Sequence, residues 1–339
     1  MTQKWKQRPE GSNWGDFGPD DQIGRINLLT PENTVKAVKE VKEGLRFCLS
    51  LPLDIPATNV LNIKRHPPQM KPVMRDGFLA FNLRFSEVDP RLTEVNCDES
   101  WIISPQHSTQ WDSFAHMGYQ FDADGDGEPE NVFYNGHHVL GDESGKPRFG
   151  EVGTHNLGIE HMAKACIQGR GVMIDFHAHY GREHKAVGYD DLMRIMESDG
   201  VEVEKGDLVC LHTGYADMLI EQGKDLDPDI TRKHCPGIDS WDEKVLQWIT
   251  DSGLAALISD NRAVEFEHYD LSPGIKQGPW YPIHHHCLFK LGIHLGELWF
   301  LSELAGWLRE HKRHRFLLTA PPLYLPGAVG SPLNPIATV

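Results

Sequence analysis

The chain has 339 residues, of which 40% are hydrophobic and 24% charged, so it can bury a large core and is neither a disordered nor a fibrous protein. Its 33 Lys and Arg against 49 Asp and Glu leave a net charge of −16, which argues against a nucleic-acid partner. The 19 His residues indicate metal binding or acid–base chemistry, because neutral imidazole is the commonest metal ligand and titrates near neutral pH.

The cysteines and the apolar segments bear on cellular location. The six Cys are scattered without a CxxC pair, which is typical of reduced thiols rather than of a zinc knuckle or a disulfide framework. The N-terminal segment MTQKWKQRPEGSNWGD is polar and lacks the apolar core of a signal peptide. No segment approaches the ~20 apolar residues of a membrane-spanning helix. We therefore expect a cytoplasmic protein with no membrane partner.

The first third of the chain predicts an N-terminal arm and helix, followed by short strands. Within residues 1–45, Thr30 is a suitable N-cap for an amphipathic helix and Gly44 marks its end. Between residues 47 and 103, short β-like runs broken by Pro, Asn and Asp predict a sheet. Residues 119–150 predict a long loop, and loops of that length are usually functional or disordered.

The second half alternates helix and strand. Amphipathic helices are predicted over 158–170, 188–200 and 240–253, and apolar strands over 171–177, 207–214 and 254–261. The strand at 207–214 has the continuous apolar run LVCL, as expected of a strand that is buried on both faces. We therefore predict the α/β fold class, with a mixed sheet and packed helices in a single domain over residues 46–325 and a C-terminal tail at 326–339.

The densest group of polar side chains, at residues 104–118, follows a predicted strand. It holds Asp112 and His116 together with two amides, Gln106 and Gln110. Binding and catalytic groups are common on loops of this kind. On a functional interpretation, Asp112 is a metal ligand or orienting carboxylate and His116 a general acid or base. The alternative is a polar loop whose side chains cap local backbone groups.

A second group lies at residues 279–297, where three consecutive His residues precede an apolar run. His284, His285 and His286 cannot all face one way, because successive side chains alternate on a strand and fan out by ~100° on a helix. Glu297 lies within the apolar run, where a buried carboxylate needs a metal, a cation or hydrogen-bond donors. A buried acid beside an imidazole is a candidate site, and the alternative is a surface-facing Glu.

Two weaker signals lie elsewhere. Residues 122–128 match the opening of a calcium-binding loop, but Phe133 occupies the twelfth position, where an EF-hand requires Glu. The alternatives there are a structural Ca²⁺ and a solvated acidic turn. Asp175, His177 and His179 share one face at a strand end, where they form either a second polar cluster or a solvated edge.

Several segments together resemble the cyclase family of metal-dependent hydrolases, which includes bacterial kynurenine formamidase and isatin hydrolase. The likeness covers most of the chain. It rests on the order and spacing of six segments, at residues 14–32, 106–116, 167–176, 205–215, 236–265 and 285–298. The resemblance implies a swivelling β/β/α fold and hydrolysis of an amide, a cyclic amide, a lactone or a related carbonyl compound.

The resemblance also implies roles for particular residues. The family signature is HxGTHxDxPxH, and Asp112 corresponds to its metal-binding Asp and His116 to its catalytic acid–base His. The family completes its metal site with a later His and a Glu twelve residues further on. His285 and Glu297 have that spacing, so the resemblance implies that they are metal ligands.

The chain departs from the signature at both of its metal-binding His, which are Gln106 and Gln110 here. A Gln carbonyl is a hard, neutral donor, so the exchange weakens zinc binding and favours Mn²⁺, Mg²⁺ or Ca²⁺. The expected cofactor is a divalent metal, Mn or Zn with Mg or Ca as alternatives, unless the exchange has abolished the site. The two amides are then weak ligands or substrate-binding groups. Trp111 and nearby aromatic residues either form an apolar wall for a ring-bearing substrate or are core or subunit-contact residues.

Three functions are compatible with these residues. The first is hydrolysis in which a metal polarises a carbonyl and lowers the pKa of a bound water, while His116 moves protons. The second is a metal-free lyase, hydratase or cyclase that uses His116 and Asp112 for proton transfer. The third is a non-catalytic protein that binds a small molecule. In each case the partner is a small molecule, and a homodimer or homotetramer is expected.

Overall fold

The computed structural model describes residues 4–140, 152–268 and 278–339. Its strands are β1 (Arg46–Cys48), β2 (Gln69–Pro72), β3 (Met74–Arg75), β4 (Phe78–Leu79), β5 (Phe81–Arg84), β6 (Val95–Cys97), β7 (Glu99–Ile102), β8 (Gln110–Asp112), β9 (Tyr119–Phe121), β10 (Glu130–Val132), β11 (Gln168–Asp175), β12 (Ala186–Val187), β13 (Leu208–His212), β14 (Gly237–Ile238), β15 (Ala256–Ser259), β16 (His294–Glu297), β17 (Arg315–Thr319), β18 (Gly330–Pro332) and β19 (Ile336–Thr338).

The helices lie mainly in the second half. They are α1 (Pro31–Val38), α2 (Ile159–Lys164), α3 (Phe176–Tyr180), α4 (Tyr189–Asp199), α5 (Tyr215–Gln222), α6 (Pro228–Lys233), α7 (Glu243–Ser252), α8 (Pro282–His284) and α9 (Ser302–Glu310). A π-helical turn, His285–Leu291, continues α8. In the described part of the chain, no helix has the length and apolar character needed to cross a bilayer.

A nine-stranded mixed sheet organises the molecule, in the order β1-β19-β17-β11-β13-β15-β16-β8-β18. The central strands β11, β13, β15 and β16 run parallel, and the flanking strands pair antiparallel. Helices connect the parallel strands, as βαβ crossovers require. The predicted α/β class with a mixed sheet is confirmed, and the predicted helices and strands of the second half correspond to α2, α4, α7, β11, β13 and β15. Two predicted bounds are wrong: α2 ends at Lys164 and β11 begins at Gln168, inside the predicted helix, and His177 and His179 lie on α3 and not at a strand end.

The sheet has a core on each face, because successive side chains of a buried strand point to opposite sides. On β13, Val209 and Leu211 belong to the core that includes residues of α4 and α7, and we call this side the α7 face. Leu208 and Cys210 belong to the core that includes residues of α2 and α9, on the α9 face. All four are inaccessible to solvent, which explains why four consecutive residues of this strand are apolar.

Helix α1 begins as predicted but ends early. The Thr30 side chain accepts the backbone N–H of Asn33 at its N-terminus. The helix ends at Val38 instead of continuing to Gly44. Only Ala37 of this helix is buried, so the following residues have no apolar face to hold another turn against the sheet.

The prediction of one sheet between residues 47 and 103 is only partly right. Strand β1 joins the main sheet, whereas β2 pairs with β7, β3 with β4, and β5 with β6 in separate antiparallel pairs. The predicted loop at 119–150 contains a hairpin of β9 and β10 whose turn is the acidic segment 122–128. Residues 141–151 of that loop lie outside the described residues.

Residues 326–339 are not a tail. Strand β18 pairs with β8, and β19 lies between β17 and β1. Strands this short have little periodicity of their own, and their partners lie far away in the sequence, so the pattern alone does not reveal them. The C-terminal residues therefore form part of both outer regions of the sheet.

Candidate metal centre

Strands β8 and β16 bring the first site residues together. They pair antiparallel, with Gln110 opposite Glu297 and Asp112 opposite Leu295. Because side chains alternate, Gln110, Asp112 and Glu297 share the α7 face with Leu295. The pairing brings the carboxylates of Asp112 and Glu297 close together. Glu297 is the last residue of β16, and α/β proteins commonly bind ligands at the carboxyl ends of their parallel strands.

Asp112, His284 and Glu297 form the candidate metal centre. Each offers a ligand atom within 4.8 Å of the others, and all three side chains are buried. His284 Nε2 lies 3.3 Å from Glu297 Oε1 and 4.0 Å from Asp112 Oδ2. Neither oxygen of Asp112, nor Oε1 of Glu297, has a hydrogen-bond donor.

These unpartnered oxygens are suited to a cation. A buried carboxylate without a donor or counter-charge costs several kcal/mol, so a native protein rarely leaves two of them adjacent. Two carboxylates and one imidazole are ligands that divalent metals such as Mn²⁺ and Zn²⁺ accept. The residues present therefore fit the divalent ion that the family resemblance implies.

Glu265 orients the imidazole of this centre. Its Oε1 accepts a hydrogen bond from His284 Nδ1 at 2.6 Å and from the His284 backbone N–H at 3.1 Å. Its Oε2 accepts the backbone N–H of Ile283 at 3.0 Å. With Nδ1 donating to this carboxylate, Nε2 faces Asp112 and Glu297. In protein metal sites, the second nitrogen of a ligating imidazole commonly donates a hydrogen bond to a carboxylate in this way.

The pKa shifts express the same excess of negative charge. Burial by itself lowers the pKa of His284, but the hydrogen bond to Glu265 and the nearby negative charge of Glu297 outweigh it and raise the pKa to about 10. Burial raises the pKa of Asp112, and repulsion from Glu297 adds to the effect. Without a metal, a proton on His284 offsets the carboxylates; a divalent cation competes with that proton for the same nitrogen.

His116 lies beside the three residues, as the sequence predicts for a catalytic group. Its Nε2 is 3.9 Å from Asp112 Oδ2, and its side chain is 19% exposed. It lines a cavity of about 170 Å³ that Glu297 and His284 also line. Burial lowers its pKa despite the attraction of Asp112, so the ring is neutral at pH 7 and able to accept a proton.

The two amides are both brought to this region. Gln110 is fully buried, and its Nε2 donates to Glu297 Oε2 at 2.9 Å, while its Oε1 has no donor. Gln106 lines the cavity, and its backbone carbonyl accepts a hydrogen bond from Arg65 at 2.9 Å. Gln110 therefore fixes one oxygen of Glu297 and leaves the other unpartnered. Whether either amide binds a metal or a substrate stays a prediction.

The structure corrects the choice among the three consecutive His residues. His284, the last residue of α8, takes the position that the twelve-residue spacing gave to His285. The His285 ring instead contacts Tyr119 and Phe289, with centroid distances of 4.3 and 5.3 Å. Because both residues are helical, their side chains point in directions ~100° apart, and only one of them can reach Glu297.

Trp111 does not line the cavity, which corrects its predicted role beside the substrate. It lies between Gln110 and Asp112 on β8 and therefore points to the α9 face, where it is fully buried against Trp299 with a centroid distance of 5.0 Å. Its indole N–H donates to the carbonyl of Ala320. Among the aromatic residues near the two motifs, Tyr281 lines the cavity.

Sequence reasoning missed three residues of this region, namely His284, Glu265 and Arg65. The sequence could not distinguish His284 from its neighbour without the start of the helix, which Pro282 sets. Glu265 is 2% exposed and lies in a segment of mixed polarity, so its burial has no periodic signal. Arg65 lines the cavity from a segment that reads only as a connection between strands.

Two other groups could hold a cation by geometry, but their acids are already engaged. Asp175 accepts a hydrogen bond from His212 Nδ1 at 2.7 Å and pairs with Arg309 at 2.6 Å. In the exposed hairpin turn, Asp122 accepts the backbone N–H groups of Gly125, Asp126 and Gly127. Asp112 has no such donors, which sets the buried centre apart from both groups.

The chain is similar in sequence and fold to several proteins of known structure. The crystal structure of a novel cyclase shares 30% sequence identity over 97% of this chain and 99% of the other, with a TM-score of 0.74. Isatin hydrolase A from Ralstonia solanacearum shares 14% identity, with a TM-score of 0.54 over 86% of this chain and 91% of its own. An isatin hydrolase bound to the product analogue thioisatinate shares 12% identity, with a TM-score of 0.54 over 91% of this chain and 99% of its own.

The two isatin hydrolases share the fold, since identities of 12–14% carry no more than that. No protein of curated function matches the sequence. The family described as “Putative cyclase” matches residues 48–266, which is more than half of the chain. The resemblance read from the sequence is thereby confirmed, and the chain belongs to the cyclase family.

Proposed function

We propose that this protein is a metal-dependent hydrolase of a small amide, cyclic amide, lactone or related carbonyl compound. The observation that carries the proposal is the buried trio Asp112, His284 and Glu297, in which three of the four carboxylate oxygens lack donors, beside an open cavity. The isatin hydrolases that share the fold are named for isatin, a cyclic amide, which supports this class of substrate.

The trio would hold the metal, and Gln110 would orient Glu297 by its hydrogen bond to Oε2. Asp112 and Glu297 each supply a carboxylate oxygen, and His284 supplies Nε2. A bound divalent cation provides a Lewis acid that polarises a carbonyl oxygen and lowers the pKa of a water molecule. Glu265 keeps the imidazole oriented, so little reorganisation is needed when the ion binds.

His116 is the proton-transfer group of the proposal. Its Nε2 lies 3.9 Å from Asp112 and on the cavity wall, so it faces the space that an attacking water and the scissile bond of a substrate would occupy. The ring takes the proton of the attacking water and returns it to the departing nitrogen or oxygen. General acid–base groups of this kind typically contribute 10²–10⁴-fold to the rate.

The cavity sets the size and polarity of the substrate. A volume of about 170 Å³ is similar to the ~150 Å³ cavity that holds benzene in an engineered protein, so one ring with a small substituent fits. Tyr281 supplies an aromatic wall. Arg65 donates one N–H to the backbone carbonyl of Gln106 and makes no ion pair within the described ranges. Its other N–H groups can therefore donate to a carbonyl or carboxylate oxygen of the substrate.

The test combines metal analysis with hydrolysis. Protein loaded with Mn²⁺ or Zn²⁺ and then dialysed should retain at least one ion per chain, and should hydrolyse isatin or an N-formylated aromatic amine. Asp112→Asn should lose the ion and the activity. His116→Ala should keep the ion and lose activity by 10²–10⁴-fold.

Asp190→Asn is the matched control, because the side chain of Asp190 is 89% exposed and forms a surface pair with Lys244 at 3.8 Å. It should keep both the ion and the activity. Hydrolysis that survives complete removal of the metal would instead favour the metal-free enzyme. A protein that retains no ion after loading and turns over none of these compounds would refute the proposal.

A further inference from the structure

Residues 63–103 form a segment, here called the hairpin extension, with almost no core of its own. It contains the pairs β2–β7, β3–β4 and β5–β6, none of which joins the main sheet. Of its apolar residues, only Ala80 and Leu83 are buried. An isolated two-stranded pair is marginally stable in water, so three adjacent pairs without a core need cover from outside.

The hairpin extension concentrates the exposed apolar surface of the molecule. Of the 21 large apolar side chains exposed in the described residues, twelve lie in it. They are Ile63, Met70, Met74, Phe78, Leu79, Phe81, Val88, Leu92, Val95, Trp101, Ile102 and Ile103, with exposures of 37–76%. Soluble monomers rarely expose a contiguous apolar patch of more than a few hundred Å².

The area is that of a stable interface. A large apolar side chain presents on the order of 200 Å² when fully exposed, so these twelve leave roughly 1,000 Å² in contact with water. A stable protein–protein interface needs about 800 Å² from each partner. The hairpin extension alone can supply that area.

The net charge of the hairpin extension indicates what kind of partner it can bind. The hairpin extension holds six Lys or Arg and six Asp or Glu, so it is neutral in a chain of net charge −16. Two copies would repel each other elsewhere but can approach through this neutral segment. It has no excess of positive charge to favour an anionic membrane or a nucleic acid. Each pair also leaves strand edges open, which suits the self-complementary contact of a two-fold dimer.

We propose that the hairpin extension is the surface through which two copies of this chain associate. The association also bears on the cavity, because Arg65 near the start of the segment lines it and donates to Gln106 just beyond the end. The His66 backbone N–H donates to Ser104 Oγ, which ties the two ends together. Covering the extension therefore holds one wall of the cavity in place.

The test uses the full chain and three lysine substitutions in the hairpin extension. Phe81, Val95 and Ile102 are 53%, 58% and 59% exposed, so Phe81→Lys, Val95→Lys and Ile102→Lys disturb no buried contact. Sedimentation velocity should give at least twice the chain mass for the unchanged protein and a single chain mass for the triple variant. Its circular dichroism should be that of the parent, which separates dissociation from unfolding.

The matched control places three lysines at exposed apolar residues elsewhere, as Val35→Lys, Ile220→Lys and Leu323→Lys, and should keep the parent mass. Hydrogen exchange of the unchanged protein gives a second readout that needs no variant. Protection of residues 63–103 should fall on dilution below the dissociation constant. A monomeric parent, a triple variant that stays dimeric, concentration-independent protection, or binding of the parent monomer to neutral phosphatidylcholine vesicles through this segment would each overturn the proposal.

Discussion

Replacing Glu265 by Gln tests the proposed metal centre without touching a ligand. The carboxylate accepts three hydrogen bonds, of 2.6–3.1 Å, from His284 Nδ1 and from two backbone N–H groups. Glu265→Gln keeps the size of the side chain but turns one acceptor into an NH₂ group, which must face a donor. We expect the loss of a charge-assisted hydrogen bond to lower the free energy of unfolding by about 1.5–3 kcal/mol.

The effect on the metal is expected to be separate from that on folding. Loss of an outer-shell carboxylate typically weakens metal binding 10–100-fold, which is about 1.4–2.7 kcal/mol. Titration of the metal-free protein with Mn²⁺ or Zn²⁺ against a competing chelator measures the affinity, and urea unfolding without metal measures the stability. Glu221→Gln is the control, because Glu221 forms a largely exposed pair with Arg182. An affinity within about twofold of the parent for Glu265→Gln would refute the proposed role.

Three further predictions follow from the same geometry. His284→Ala should abolish metal retention, while the adjacent His285→Ala should leave it within about tenfold; equal losses would contradict the corrected assignment. Trp111→Ala should lower the free energy of unfolding by ~3–5 kcal/mol in urea titrations, and a loss under 1 kcal/mol would contradict its burial. Burial by itself lowers the pKa of His212, but its hydrogen bond to Asp175 and nearby acids raise the pKa above 6.5. Its stabilisation is therefore complete below that pH and lost as the pH rises, so His212→Gln should flatten the decline in urea stability above about pH 6.5.

The sequence allowed the second half of the fold to be predicted because each element there has a strong period. The run at 207–214 contains four consecutive apolar residues, at 208–211, and the helices between the strands carry apolar residues at helical spacing. The region at 47–103 lacks this consistency. Its strands have two to four residues, and their apolar side chains face outward, so the alternation of polar and apolar residues does not mark a core.

The residues of the candidate site were likewise predicted only in part from the sequence. Asp112 and Glu297 stand out because an acid beside or within apolar strand residues is costly to bury, and the sheet pairing does bring them together. The choice of His284 over His285 depends on the phase of a three-residue helix and the π-helical turn after it, which no periodicity fixes. Glu265 is invisible to the sequence because its significance lies in one contact across 19 residues.

The arrangement of Gln110 bears on how the proposed metal centre can work without the two imidazoles of the family signature. An imidazole at residue 110 would supply a ligand nitrogen, whereas the amide here donates to Glu297 Oε2 and leaves Oε1 of that carboxylate unpartnered. The amide thus orients an anionic ligand even where it does not itself bind the ion. What remains is one nitrogen and several oxygens, a donor set that is harder than the three-imidazole sites typical of zinc. Because carboxylate and carbonyl donors suit Mn²⁺ and Mg²⁺ and soft donors are absent from the trio, we expect the exchange to shift the preference of the proposed centre towards those ions and away from zinc.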